Sequence, residues 1–526
     1  VGIVDRRTID ILATHGALGA PPSWNRVRYG DVDIRVGTPE LDNTHKLRDA
    51  GWYDEPTRFP LDLPLTDGNP RVSQLALWRS AEETYREAAR RLIRVRANDA
   101  VKVARDDTSN DFSPAPTVSA LGETTPLQLD EAAWAETVRE ASARFLDHPA
   151  VFDSNVNIHA QDDVHYVLTS EGTRIRHQRW RLRLSVWGTT TAEDGQQLMV
   201  YDYVDAASPQ GLPEPDAVVA MAEGVAERLE QLREAPLVDP YVGPAILRGR
   251  AAGVFFHEIL GHRVEGHRQK DEDEGQTLTD KVGEPIFPAF ISVVDDPTIV
   301  QWPSPDGPID LNGTYPYDDE GVAAQPVTVV ENGVLREFLM SRAPIENQPL
   351  SNGHGRRQPG NSVVARQGNL IVSASPEAQV SYDRLRQQLL DLLEEQDKPF
   401  GLIFDDISGG FTLTGRGTPN SYAVKPVTVW RVWRDGRPDE LVRGVDLIGT
   451  PLVTFSRIVG ASDQTQVFNG MCGAESGWVP VSAVAPDLLV SEVEVQRREK
   501  ANDRPPLLPP PVGAPPPPSA DAEVVP

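Results

Sequence analysis

Between Gly253 and Arg268 the chain reads GVFFHEILGHRVEGHR, and the spacing inside this stretch restricts the local backbone severely. His257 and His262 are five residues apart. An α-helix turns about 100° per residue, so side chains five apart point about 140° away from each other. If both imidazoles are to face one point, the helix must end or widen between them. Gly261, immediately before His262, is where the sequence permits this, because glycine readily forms a helix end or a one-turn widening. A regular α-helix running through His262 would be incompatible with a shared ligand.

Two neutral imidazoles and one further ligand can hold a zinc ion with a position left open for water, and a neighbouring carboxylate can then take that water's proton. On that pattern His257 and His262 are the candidate ligands and Glu258 is the candidate base. The residues alone leave two readings open: a metal site, or a buried helix that happens to carry polar groups. Three of the ten histidines, His257, His262 and His267, crowd into this segment just after the apolar run AAGVFF. Cys472 is the only cysteine, so no intrachain disulfide forms. A lone cysteine commonly packs as a small apolar group. Its setting, FNGMCGAESGWVPV, has glycines at 470, 473 and 477 and reads as a loop, and its thiolate would suit zinc.

The 526 residues exceed one ordinary domain, and a formal charge of −27 disfavours a polyanionic partner such as nucleic acid. No run approaches the roughly 18 apolar residues of a membrane helix. Before residue 237 the pattern is mixed. A strand is expected over Val27–Gly37 and helices over about 72–94, 130–146 and 216–234. Strands are expected over 163–171, 174–187 and 198–204. Leu75, Trp78, Ala81, Tyr85, Ala89 and Leu92 share the spacing of one buried helical face. From 238 to 503 the chain turns strand-rich. Asn332-Gly333 marks one hairpin and Asp435-Gly436 another, with one amphipathic helix at about 381–396. The proline-rich tail, 504–526, is expected to be disordered. The expected fold class is therefore α+β: an N-terminal mixed α/β domain (1–237), then a strand-rich, half-barrel-like domain (238–503) carrying the metal site.

The motifs resemble the TldD/PmbA family of zinc metallopeptidases. FFHEILGHRVEG looks like that family's elongated His-Glu-x-x-x-His motif. VVDDPT, YDDEGV, VVENGVL, GHGRR and GMCG follow in family order over about 251–495. The resemblance implies that His257, His262 and Cys472 bind Zn2+ and that Glu258 is the general base. It also implies the active, TldD-type member, since the PmbA-type partner lacks the His-Glu motif. Further implied are an unfolded peptide or peptide precursor as substrate, a homodimer or a heterodimer with a PmbA-type relative, and a cytoplasmic location. The missing initiator methionine keeps an exported or periplasmic location open.

Four features carry secondary expectations. Glu265 is similar to a recurrent family glutamate that would fix an imidazole's tautomer. His267 reads as a surface histidine. His354 and Arg356 of GHGRR either face a developing oxyanion or form a glycine turn with solvated arginines. The run KDEDE (270–274) reads as a solvated loop or a selector of cationic peptides. Two rival functions remain: a catalytically silent zinc protein that serves a peptidase complex, and a cysteine hydrolase built on Cys472.

Overall fold

A computed structural model describes residues 1–47, 61–65, 69–100, 108–270, 274, 278–415 and 421–498. The expected proline-rich tail and most of KDEDE lie outside the described residues. The N-terminal part is one sheet, antiparallel apart from the short parallel strand Ser119–Leu121, with helices on one face. Its central strands are β1 (Gly2–Thr14), β2 (Asn25–Asp31), β3 (Asp153–Leu168), β4 (Arg174–Thr191) and β5 (Gln197–Ala206), ordered β5-β4-β3-β1-β2. Alternation along β4 puts Leu182, Leu184 and Val186 in the core with α2 (Glu131–Ala143) and α3 (Pro215–Glu234). Asp130 caps α2, accepting from the Ala133 amide at 3.0 Å.

α1 (Pro70–Asp99) departs from its expected packing. Its buried residues are Ala88, Arg91, Leu92 and Val95, whereas Leu75, Trp78 and Tyr85 are 58%, 62% and 54% exposed. Spacing identified the apolar stripe but not what would cover it.

The C-terminal part is a large mixed sheet that closes on itself. β6 (Tyr241–Leu247), β10 (Phe400–Thr412), β11 (Tyr422–Trp433), β12 (Val445–Gly449) and β14 (Gly477–Arg497) pair in that order, and β14 pairs back to β6. From β14 the sheet continues to β9 (Asn369–Ala374), β7 (Ile291–Asp295) and β8 (Val327–Glu331), and β13 (Ile458–Ala474) forms a long hairpin with β14. The sheet is buried on both faces. Ala245, Leu247, Leu402, Phe404, Leu488 and Val490 meet α4 (Gly249–Ile259), while Ile246, Ile403 and Leu489 meet α5 (Tyr382–Glu395). Asn332 and Gly333 both have positive φ, 49° and 80°, as their hairpin requires. We propose the domain division near residue 237 on this change of sheet. No helix among the described residues is long and apolar enough to cross a membrane.

α4 lies unusually close to β14. A Cβ on Gly249 would meet the Ala485 carbonyl oxygen at 2.5 Å, and one on Gly253 would meet that of Ala483 at 3.1 Å. The two glycines are one helical turn apart and His257 follows one turn later, so the same stripe that admits the strand aims His257 toward it.

The N-terminal sheet carries a buried ion-pair knot. Asp163 accepts two bonds from Arg6, at 2.8 and 2.9 Å, and lies near His165 and Arg181. Burial opposes its charge, but His165 and Arg6 outweigh burial and hold the carboxyl far below its ordinary value near 3.8. A depressed pKa contributes stability that is fully present above the unfolded value and lost as pH falls below it. Asp163→Asn should therefore be less stable than the parent chain at pH 7, with a difference that shrinks on acidification below about pH 4. Denaturant midpoints measured across pH 2–7 would check this.

Candidate metal centre

The α-helix that carries His257 and Glu258 ends at Ile259, and Gly261–Val264 form a 3-10 turn that carries His262. The required break is present, but its cause differs from the expected glycine flexibility. Gly261 does not have positive φ; a Cβ there would collide with the Gln367 carboxamide, so glycine is needed for space. Gln367 in turn donates to the His257 carbonyl at 3.3 Å, closing the end of the helix.

His257, His262 and Cys472 converge: each offers one ligand atom, all within 4.8 Å of one another. The Cys472 Sγ lies 3.4 Å from His262 Nε2, and the two imidazole rings are 5.3 Å apart at 74°. All three residues are buried, and so is Glu258, beside Gly410 of β10. His257 Nδ1 is buried without a hydrogen-bond partner among the described residues. That nitrogen has its hydrogen-bonding capacity free for a ligand. Cys472 corrects an expectation, because it stands on β13, paired with Val479, and not in a loop.

Electrostatics suit a cation at this point. Burial opposes a charged thiolate, yet the neighbouring His262 and His257 outweigh it and hold the Cys472 thiol well below its ordinary value. Burial likewise opposes protonated His262, but Cys472 and Glu265 push it well above its ordinary value. A thiolate between two imidazoles thus stabilises one positive charge, and that charge can be protons or a metal ion.

Around this triad lies a second ring of contacts that sequence reading found only in part. His262 Nδ1 is 3.2 Å from Glu265 Oε2, so the carboxylate can hold Nδ1–H and leave Nε2 toward the thiol. Glu265 also binds Arg268 at 2.8 Å and Arg366 at 3.2 Å. Burial opposes its charge, but His262 and Arg268 lead the interactions that bring its pKa down to about 2. Arg366 donates to the Cys472 carbonyl at 2.8 Å, to Ser476 Oγ at 2.8 Å and to the Gly477 carbonyl at 3.0 Å. Arg366 and Gln367 carried no signal in the sequence beyond their place in VVARQGN.

Other expectations are corrected here. His267 is a half-buried ion-pair partner of Glu475, on the β13–β14 turn, and not a free surface histidine. His354 is fully buried, with Nε2 3.2 Å from Asp295. Arg356 is also buried, donating to the Gln367 carbonyl at 2.5 Å, so GHGRR is not a turn with solvated arginines.

Residues 241–497 match the family model described as the PmbA/TldA metallopeptidase C-terminal domain. The C-terminal half of this chain belongs to the TldD/PmbA family. A Methanothermobacter thermautotrophicus relative named a metalloprotease is 30% identical over 244 residues, covering 46% of this chain and 48% of that protein. A Saccharolobus solfataricus relative named a zinc metalloprotease TldD homolog is 22% identical over 259 residues, covering 48% of this chain and 51% of that protein. The chain thus spans about half the length of these curated relatives. The crystal structure of TldE from Thermococcus kodakarensis shares the fold, with a TM-score of 0.59 at 14% identity over 94% of this chain and 96% of that one. Within this TldD/PmbA half, the acidic residues of VVDDPT and YDDEGV hold backbone in place. Asp295 of VVDDPT accepts from the Gly368 amide, and Asp318 of YDDEGV accepts from the amides of Glu320, Val322 and Gly355.

Gly261→Ala should destabilise the chain by about 1–3 kcal/mol through the forced displacement of Gln367. Adding Gln367→Ala should recover more than half of that loss, because the two substitutions act on one contact. Denaturant midpoints of the two single variants and the double variant would measure the coupling.

Proposed function

We propose that this chain is a zinc-dependent metallopeptidase that hydrolyses peptide bonds in unfolded peptides or peptide precursors. The observation that carries the reading is the convergence of two imidazoles and the only thiol, from segments some 210 residues apart, with one ligand atom of each within 4.8 Å of the others. Two nitrogens and a thiolate match zinc's preferred donors and leave a fourth position free for water. The names of the relatives support the class of activity.

A zinc ion held by His257, His262 and Cys472 would lower the pKa of water and polarise a peptide carbonyl. The chain's own residues do the rest. Glu258, adjacent to His257 and buried, accepts the proton of the attacking water and returns it to the leaving amine. Glu265 keeps His262 in the tautomer that presents Nε2, and Arg366 fixes the β13 backbone that carries Cys472. The closed sheet excludes bulk water from Glu258, which strengthens every charge interaction there.

Glu258→Gln should lower the cleavage rate of an unfolded peptide at least about 100-fold with zinc content unchanged. Cys472→Ala should lose stoichiometric zinc. Unchanged zinc affinity in that variant would remove the third ligand, and peptide cleavage at the parental rate by Glu258→Gln would remove the mechanism. A silent zinc-binding subunit would retain metal but show no turnover in the parent chain. A cysteine hydrolase would be inhibited by alkylation but not by chelation.

We further propose that the chain works as a dimer, with itself or with a PmbA-type relative, through the exposed stripe of α1. Leu75, Trp78 and Tyr85 lie three and seven residues apart on one face, the spacing of a helix-packing ridge. Trp78→Glu combined with Tyr85→Glu should convert a dimer into a monomer in light scattering without lowering the thermal midpoint.

A further inference from the structure

A cavity of about 580 Å³ opens where the N-terminal sheet faces the β13–β14 hairpin, and its wall is rich in arginine. The cause lies in β4. Since Leu182 and Leu184 point to the helices, Arg179, Arg181 and Arg183 all point to the opposite face. Like charges at this spacing need compensation. Arg183 has it, through two bonds of 2.7 Å to Asp205, and Arg6 has it through Asp163. Arg181 reaches the same Asp163 only at 3.7 Å. Arg179 donates to the Asn312 carbonyl, and Arg356 to the Gln367 carbonyl while stacking over Tyr315 at 4.6 Å. Among the described residues neither Arg179 nor Arg356 forms an ion pair. Burial, followed by the charges of Arg181 and Arg356, pushes the Arg179 guanidinium well below its ordinary value. Arg179 and Arg356, with backbone carbonyls as their hydrogen-bond partners, keep positive charge without a paired carboxylate on a wall that also carries Glu123, Asp163, Asp310, Asp318 and Asp319.

We propose that this cavity binds the carboxylate of a peptide, at its C-terminus or on an acidic side chain, through Arg179 and Arg356. Guanidinium forks match a planar carboxylate, and Tyr315 and Trp478 supply walls for the adjoining residues. The volume suits a ligand of a few residues. Met471 lines the cavity while its neighbour Cys472 faces the imidazoles, so the two sites lie on opposite faces of β13. A carboxylate held here is anchored, not cleaved. That the ligand is a peptide rests on the peptidase reading; that it is an anion does not.

The test is tryptophan fluorescence titration of the full chain carrying Glu258→Gln, so that binding and not turnover is read. A short peptide without acidic side chains is compared as free acid and as C-terminal amide, beside the same amide carrying one glutamate, and beside inorganic phosphate. At least one carboxylate peptide should bind about tenfold or more tighter than the plain amide. Arg179→Met should abolish that difference while leaving the thermal midpoint without ligand unchanged or higher, since crowding is relieved. If Arg179→Met unfolds, Arg181→Met serves for the same comparison. Acid, glutamate-bearing and plain amide peptides binding equally would overturn the proposal. So would phosphate binding without carboxylate discrimination, or unaltered discrimination in the arginine variant. Failure of the parent chain to hydrolyse peptides would overturn the peptidase reading alone, because no turnover enters this measurement.

Discussion

Glu265 is a fully buried carboxylate shared by one imidazole and two guanidiniums, and the geometry of the candidate centre depends on it. It receives His262 from the 3-10 turn, Arg268 from the following helical turn, and Arg366 from the strand segment before β9. Arg366 continues to the Cys472 carbonyl, and Arg268 to Glu475 at the tip of the β13–β14 hairpin. The two segments that supply ligand-type side chains are therefore joined by charge before any ion is considered. Removing one member of such a buried set leaves an uncompensated charge, which typically costs about 3–5 kcal/mol. The net gain over an apolar core is small, so what this arrangement secures is placement.

Placement also comes from steric contact. Gly249, Gly253 and Gly261 let α4 and its 3-10 extension press against Ala485, Ala483 and Gln367 respectively. Every residue of α4 outside Arg250 is buried, so the helix has little freedom to rotate or slide. Catalytic geometry tolerates errors of only a fraction of an ångström, which a helix packed on all sides can satisfy and an exposed loop cannot. The helix ends where the candidate ligands gather, which is where a local rule gives way to the needs of a site.

How much of this was legible in the sequence depended on range. α2, α3 and α5 follow from local periodicity, with side-chain caps on α2 and α5, and the Asn332-Gly333 hairpin from local backbone sterics. The break before His262 followed from helix geometry alone. The β13–β14 hairpin was hidden because its glycines suggested turns. Only Gly477 has positive φ, at 83°; a Cβ on Gly470 would meet the Phe468 ring, and one on Gly473 the Trp478 ring. Those two glycines make room for aromatic rings on a strand, a contact no local pattern announces. The ties from Arg366 and Gln367 to the centre are long-range, as is the pairing of the missed strand β1 with β3. For Arg366, Gln367 and β1 a deciding neighbour is more than a hundred residues away.

The two arginine-rich regions show how one residue type serves opposite purposes. Around Glu265 the guanidiniums have carboxylate partners and act as fixed struts. In the cavity beside β4, Arg179 and Arg356 form no ion pair among the described residues and donate to backbone carbonyls. The formal charge of −27 repels anions at long range, and physiological salt screens that repulsion over about 8 Å. Inside a recess bounded by protein the screening is weaker, and the nearest charges decide the sign of the potential. An acidic protein can in this way hold a local site for a carboxylate while its outer surface disfavours polyanions, because a long polyanion must satisfy the whole surface and a short peptide only the recess.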